Sequence, residues 1–203
     1  MKTIDPLSRK NQQPSGFTLV EVLVVVVLAG ILAALSGPFF GRVIAQYTLK
    51  RYTSEVYQAI SQAQAYSHQR RENWQFSLCS NKGILQYAVH LASQVPTTCG
   101  GGNISWTSLP SNISLDTTAS NVTMSQPTAG IYQVCFNDQG LPSTPGGSPQ
   151  VCTYPAFFVP PQQLTFVVTP YPYKRCIILK TLLGALTDGK EWGTNNSSGS
   201  SCY

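Results

Sequence analysis

A single carboxylate, Glu21, lies near the start of a long apolar stretch of the chain. The twenty residues from Val22 to Gly41 carry no charge, and as an α-helix they would extend about 30 Å, enough to cross a bilayer. A carboxylate inside a membrane span costs several kcal/mol unless it is neutralised or has a partner. We therefore expect Glu21 to have a specific function, because a plain membrane anchor has no need for an acid there.

The six cysteines form the second group of reactive side chains, and all of them follow the apolar stretch. None forms a C-x-x-C pair, and the chain has only two histidines, so we predict no metal site. An even number of widely spaced cysteines in an exported chain favours disulfides, although six cysteines allow fifteen connectivities and six free thiols remain the alternative. We assign bridges between sequence neighbours: Cys79–Cys99, Cys135–Cys152 and Cys176–Cys202.

The two histidines, His68 and His90, belong to no recognisable catalytic pattern. The sequence also lacks a G-x-S-x-G, an H-E-x-x-H and a phosphate-binding loop. We expect His68 on a helix and His90 in a strand, each as a surface or packing residue. The sequence therefore predicts no enzyme and no cofactor.

Charge is sparse and unevenly distributed along the chain. Only 10% of the residues are charged, against roughly 25% in a typical soluble domain. Of the net charge of +5, the first sixteen residues carry +2 and the remainder +3, too little to argue strongly for binding to nucleic acid. The positive leader predicts an N-terminus in the cytoplasm and the bulk of the chain outside.

Two ordinary explanations of the N-terminal segment leave part of it unexplained. A secretory signal would be cleaved after its apolar core, near the small residues Ala33, Ala34 and Ser36. A plain membrane anchor would be uncharged throughout. Neither explanation accounts for the combination of Gly16, Phe17 and Glu21.

The segment Gly16-Phe17-Thr18-Leu19-Val20-Glu21 resembles the type III signal of type IV prepilins and pseudopilins. The resemblance implies that prepilin peptidase cuts after Gly16, on the cytoplasmic side, and leaves the apolar stretch on the mature protein. It implies that the same enzyme methylates the new N-terminal residue, Phe17. It also implies that Glu21 neutralises the terminal amine of a neighbouring subunit during filament assembly.

The same resemblance extends along the predicted helix. Gly30 and Pro38 match positions where family members carry helix-loosening residues, since Gly lacks side-chain restraint and Pro removes a backbone hydrogen bond. After Pro38 the pattern becomes amphipathic. Apolar residues recur every three or four positions: Leu49, Tyr52, Val56, Ile60, Ala63 and Tyr66. We expect one helix from Phe17 to about Arg71, buried in lipid or filament first and packed on a globular domain afterwards.

Beyond the helix the sequence is typical of short strands separated by Gly, Pro and Asn, and the predicted strands include 103–106, 121–124 and 156–159. The clearest predicted loop runs from Gly140 to Pro149. The predicted fold class is therefore α+β and pilin-like, with a long hydrophobic N-terminal helix packed on an antiparallel β domain that has disulfide-stapled loops. The predicted organisation is a leader at 1–16, a transmembrane or filament-core helix at 17–44, its amphipathic second half at 45–72, and a β domain at 73–203.

The arrangement after the helix resembles the GspH/FimT group of minor pilins and pseudopilins. The segments that carry this resemblance are a cysteine-bearing strand from Gln75 to Ser80, a turn near residues 136–140, and a final hairpin that begins at Lys174. Some members of that group bind DNA through a Gly-Arg-x-Arg motif in the last hairpin. This chain has Gly184-Ala185-Leu186-Thr187 there, without either arginine.

Four basic residues keep the last hairpin mildly basic and are candidates for weak DNA contact: Lys174, Arg175, Lys180 and Lys190. Tyr171, Tyr173 and Trp192 lie nearby in the sequence as stacking groups, although ordinary strand-surface lysines and hairpin aromatics explain the same residues more simply. DNA is therefore a partner that we do not favour.

The resemblance predicts a minor type IV pilin, a structural subunit at or near a pilus tip. The alternatives are a pseudopilin of a type II secretion system and a DNA-binding competence pilin. The implied partners are other pilin subunits, prepilin peptidase and the pilus assembly machinery of the inner membrane. The chain is expected to be a single-pass inner-membrane protein before assembly, and afterwards part of a surface pilus or a periplasmic pseudopilus.

Overall fold

The structure, a computed structural model, contains one long helix followed by a β domain. It describes residues 16–94, 96, 98–117, 120, 130–146, 151–153 and 162–190; of residues 35–39, 144–146, 151, 153 and 190 it describes the backbone alone. The chain divides into two compact units, Met1–Gly41 and Arg42–Tyr203.

Helix α1 spans Leu19–Arg70, 52 residues. These bounds confirm the predicted single helix to within two residues at its start and one at its end. The helix stops where Arg71 takes a φ of 55°, the left-handed conformation that commonly closes helices. Its backbone is continuous through Gly30 and Pro38, so a loosening role for these two residues stays a prediction.

The described residues form ten strands after the helix. They are β1 Trp74–Asn81, β2 Ile84–Leu91, β3 Thr107–Ser108, β4 Ile113–Leu115, β5 Ile131–Phe136, β6 Pro142–Gly146, β7 Val151–Thr153, β8 Gln162–Val168, β9 Tyr173–Leu179 and β10 Leu186–Lys190. One sheet has six strands in the order β3-β2-β1-β5-β6-β7, and the other has four in the order β10-β9-β8-β4. The pairings recorded between these strands are all antiparallel, as predicted.

One hydrophobic core joins the second half of α1 to both sheets. The helix contributes Leu49, Val56 and Ile60, each at most 2% exposed. The sheets contribute large side chains that include Phe76, Phe136 and Phe166. Burying a side chain of this size stabilises the fold by about 1.5–3 kcal/mol, so the spacing of three and four residues along α1 fixes which helix face meets the sheets. The α+β fold class predicted from the sequence is confirmed.

Two local predictions about the strands were wrong. The predicted loop from Gly140 to Pro149 contains strand β6, which pairs with β5 at its first two residues and with β7 at its last three. Pro and Gly in a sequence argue against a strand, because Pro has no N–H to donate to a neighbouring strand. In β6 each residue pairs with a strand on one side only, so a missing N–H is tolerated. Residues 103–106 were predicted as a strand and lie in a loop, where the Trp106 indole N–H donates to the Gly101 carbonyl at 3.1 Å. Predicted strands at 121–124 and 156–159 lie outside the described residues.

Two disulfides join described residues of the six-stranded sheet and its loops. Cys79 of β1 bonds to Cys99 in the loop after β2, and Cys135 of β5 bonds to Cys152 of β7. Both pairs have Cα atoms 5.8 Å apart, within the usual range for a disulfide. They are the pairs that the sequence analysis assigned. Cys176 is also disulfide-bonded; its predicted partner Cys202 lies outside the described residues.

Candidate functional site

Thr18 caps the N-terminus of helix α1, which begins at Leu19. Gly16, Phe17 and Thr18 precede the helix, and the Thr18 hydroxyl accepts a hydrogen bond from the Glu21 backbone N–H at 3.2 Å. The Thr18 carbonyl accepts the first helical hydrogen bond, from the Val22 N–H at 3.2 Å. A threonine three residues before a glutamate is the sequence pattern of a capping box. The sequence analysis missed this function of Thr18, although the pattern was readable.

Glu21 lies in the first helical turn and is exposed. A carboxylate is favoured there because the unpaired N–H groups at a helix N-terminus carry partial positive charge. Glu21 therefore has a structural function in its own chain that the sequence analysis did not consider. That function explains why an acid suits the start of the helix, and it leaves the carboxylate accessible.

Apolar side chains surround Glu21 on the first half of α1. Phe17 and Leu19 are both 81% exposed, and the valines, leucines and isoleucine from Val20 to Leu32 are about half exposed or more. Apolar surface of this extent marks a site of interaction with protein or membrane. A Cβ atom added at Gly30 would meet no atom within 4 Å, so this glycine is not required by packing within the chain.

The predicted apolar span and leader are only partly described. No helix of the described part of the chain is both long and apolar enough to cross a membrane. The span predicted from Val22 to Gly41 includes residues 35–39, among them Pro38, whose side chains lie outside the described part of the chain. The leader up to residue 15 also lies outside the described residues.

Residues 12–37 match a protein family described as the prokaryotic N-terminal methylation motif. The chain carries the pilin and pseudopilin class signal. The signal implies processing by prepilin peptidase, anchoring in the inner membrane before assembly, and use of the pilus assembly machinery. This class signal is characteristic of pilin-like structural proteins. Neither the curated proteins nor the solved structures gave a match to the chain.

Two of the four candidate DNA-contacting residues form ion pairs. Lys174 Nζ lies 2.8 Å from Asp116 Oδ2, and Arg175 Nη2 lies 3.3 Å from Asp188 Oδ2. A phosphate would have to compete with these carboxylates, whose negative charge also opposes the approach of DNA. The sequence analysis did not foresee either pair.

Only part of the remaining set of groups proposed for DNA contact lies among the described residues. Lys180 is exposed in the turn between β9 and β10, and the side chain of Lys190 lies outside the described residues, as does Trp192. The Tyr171 and Tyr173 rings stack on each other with centroids 6.1 Å apart, and both pack partly against the core. The described residues therefore give little support to DNA contact through this hairpin.

His90 is a packing residue in β2 with two hydrogen-bond partners. It is 3% exposed; its Nε2 lies 2.8 Å from Ser77 Oγ, and its Nδ1 lies 2.8 Å from the Leu91 carbonyl. The carbonyl can only accept, so Nδ1 carries the proton and Nε2 accepts from the Ser77 hydroxyl. Burial lowers the pKa of His90, partly offset by the Leu91 carbonyl. Because Ser77 is fully buried, this histidine–serine pair has no access to a substrate.

His68 is exposed on α1, as the sequence analysis expected of a surface residue. Among the described residues, no three side chains of His, Cys, Asp or Glu are grouped so that they could hold a metal ion.

Proposed function

We propose that this chain is a minor type IV pilin, cut after Gly16, methylated on Phe17 and incorporated into a pilus at or near its tip. The observation that carries the proposal is the class signal joined to a 52-residue helix whose first turn presents an exposed carboxylate, Glu21. A helix of this kind exposes apolar surface along its first half and buries one face of its second half. Those are the two requirements of a subunit that stacks through its helix and displays a folded domain.

The charge on Glu21 must be compensated in a filament as well as in lipid. A carboxylate in a dry filament core needs a positive partner, and the amine of a cleaved Phe17 supplies one. Removing one member of a buried ion pair leaves an uncompensated charge and costs about 3–5 kcal/mol. We infer that the pair sets the register between neighbouring subunits.

The test compares two acids, one in the first turn of α1 and one just after its C-terminal end. Glu21→Gln removes the charge while keeping size and the backbone cap, so the precursor should still be cut, but its incorporation into pili should fall at least tenfold. Glu72→Gln is the matched control, because Glu72 is exposed just beyond the helix. Processing is read by the mass of the membrane-bound chain and incorporation by immunoblotting of sheared pili. Normal incorporation of Glu21→Gln would refute the pairing.

A second variant tests the cleavage itself. Gly16→Leu should leave an uncut precursor in the membrane, because a peptidase that accepts glycine at the cut has no room for a bulky side chain. A mature protein that begins downstream of the apolar stretch would overturn the whole proposal.

The GspH/FimT-like grouping rests on three segments whose local structure suits the family pattern. Cys79 belongs to strand β1, and β9 and β10 form the final hairpin. The Asn137 amide oxygen accepts from the N–H groups of Gln139 and Leu141, at 3.0 and 2.9 Å, and closes the turn after β5. These features support membership without distinguishing a pilus from a secretion pseudopilus.

A deletion strain separates the remaining candidates. Loss of pili or twitching motility with normal secretion would support the minor pilin, and loss of type II secretion alone would support the pseudopilin. The competence pilin predicts loss of transformation together with salt-dependent DNA binding by the purified chain. The ion pairs of Lys174 and Arg175 make that last outcome the least favoured.

A further inference from the structure

The outward face of α1 just beyond the apolar stretch forms an open groove. The groove has a volume of about 430 Å³ and is lined by Tyr47, Lys50, Arg51, Ser54, Glu55 and Gln58. The opposite face of the same turns, including Ala45 and Leu49, is buried in the core of the domain. The groove is therefore on the side of the helix that the domain leaves uncovered.

The groove face combines positive charge with exposed apolar side chains. Arg42, Lys50 and Arg51 are all exposed, and the sequence contains no acid between Glu21 and Glu55. Val43 is 47%, Ile44 63% and Tyr47 70% exposed. Cations interleaved with apolar and aromatic side chains are typical of a helix segment at a membrane surface.

The one acid that lines the groove is held by a strand of the domain. Glu55 Oε1 accepts a hydrogen bond from the Tyr87 hydroxyl at 2.7 Å. The Arg51 guanidinium lies over the Tyr52 ring, 5.4 Å from its centroid, which holds its planar donors against the helix surface. Neither Lys50 nor Arg51 forms a recorded ion pair among the described residues.

We propose that this groove binds the phosphate headgroup of an anionic phospholipid in the leaflet that faces the exported domain. The inference rests on the inner-membrane stage of the proposed function. Arg42 directly follows the predicted span. Lys50 lies eight residues, about 12 Å, further along the helix. Headgroups extend roughly 5–7 Å beyond the hydrocarbon, and the long side chains of Lys and Arg reach back toward the phosphates. The charge complementarity favours an anionic lipid over a zwitterionic one.

The consequence is a second anchor that acts before assembly. A lipid phosphate held by Lys50 and Arg51 fixes how far the domain stands from the membrane and which side of the helix faces the headgroups. It would have to be released when the subunit leaves the bilayer.

The test measures lipid binding to the full chain in detergent by native mass spectrometry. Dioleoyl-phosphatidylglycerol and dioleoyl-phosphatidylcholine are titrated into the protein separately, and their binding is compared. Each basic residue near an anionic lipid is worth roughly fivefold in binding, so the double variant Lys50→Gln/Arg51→Gln should bind phosphatidylglycerol about 25-fold more weakly at low ionic strength. Binding of phosphatidylcholine should not change.

Two further variants control for charge and for folding. Arg71→Gln/Lys82→Gln removes the same charge from two exposed residues elsewhere in the domain and should keep the wild-type preference. Lys50→Arg/Arg51→Lys conserves both charges and should also keep most of it. A wild-type chain that binds both lipids equally, or a control variant that loses as much as the test variant, would overturn the proposal.

The result is independent of the filament experiment. If Glu21→Gln assembles normally while phosphatidylglycerol is still preferred, the pairing of subunits fails and the headgroup site stands. If Lys50→Gln/Arg51→Gln keeps the lipid preference but fails to enter pili, the groove is a contact between subunits and the headgroup site is refuted.

Discussion

Acid should destabilise the β domain through one buried imidazole, that of His90. In the folded protein His90 accepts from Ser77 and donates to the Leu91 carbonyl, and these are its hydrogen-bond partners among the described residues. Protonation would turn Nε2 from an acceptor into a donor, and would place a cation where the recorded contacts include no carboxylate. Burial accordingly lowers the pKa of His90 below the 6.5 of a free imidazole.

The sign and size of the effect follow from proton linkage. A histidine whose pKa is lower in the folded state than in the unfolded state stabilises the fold above pH 6.5, and this contribution is lost as the pH falls. One proton taken up on unfolding changes the free energy of unfolding by at most about 1.4 kcal/mol per pH unit. At pH 6.5 the imidazole of the unfolded chain is already half protonated, so between pH 6.5 and pH 5.5 the wild-type chain should lose up to about 1 kcal/mol through this residue.

The assay is urea unfolding of the full chain in detergent, with disulfides intact, followed by tryptophan fluorescence at pH 7.5, 6.5 and 5.5. His90→Gln should be less stable than wild type at pH 7.5, because the amide does not reproduce the imidazole packing, but its stability should vary less between pH 6.5 and 5.5. His68→Gln removes an exposed histidine and should keep the wild-type pH dependence. An unchanged slope in His90→Gln would refute the assignment of a neutral buried imidazole.

The other two predictions concern single contacts of the domain. Tyr87→Phe removes the hydroxyl bound to Glu55 and should lower the free energy of unfolding by about 0.5–1.5 kcal/mol. Burial and the Glu55 carboxylate raise the pKa of Tyr87 to about 12, so the variant should also lose one tyrosine that titrates near pH 12 in an alkaline absorbance titration; an unchanged titration would refute this. Gly184 has a φ of 84°, and an added Cβ atom would collide with the Gln64 side chain, so Gly184→Ala should lower the melting temperature by several degrees. Ala185→Ser, one residue later in the same turn and exposed, is the control, and equal melting temperatures in the two variants would contradict the argument.

The long helix and its buried face could be predicted because they depend on local periodicity. Leu49, Tyr52, Val56 and Ile60 fall every three to four residues, and all four lie in the core or pack against it. The start of the helix was equally readable from Thr18 and Glu21, but the sequence analysis assigned Glu21 to assembly alone and overlooked the cap.

The contacts that decide the candidate DNA site could not be predicted in this way. Lys174 meets Asp116 from 58 residues away, and this pairing depends on how the four-stranded sheet is assembled. Strand β6 was hidden for a related reason, since its pairing with two different neighbours compensates for a proline-rich sequence that by itself indicates a loop. Long-range pairing, not local propensity, determines both features.

The cut after Gly16 would separate the helix from the leader, and it would also change the charge at the start of the helix. Before cleavage the nitrogen of Phe17 is a neutral amide, and Glu21 has only the helix N-terminus and the Thr18 cap to compensate its charge. After cleavage that nitrogen becomes an ammonium one helical turn from Glu21, so the mature monomer already carries both charges that assembly needs. Methylation converts the primary amine of Phe17 into a secondary amine, which keeps this positive charge. The carboxylate can therefore pair within its own chain while the subunit waits in the membrane, and exchange that partner for a neighbour's amine on assembly at little electrostatic cost. Glu21→Gln would remove both pairings, which is why we expect it to impair assembly and leave cleavage intact.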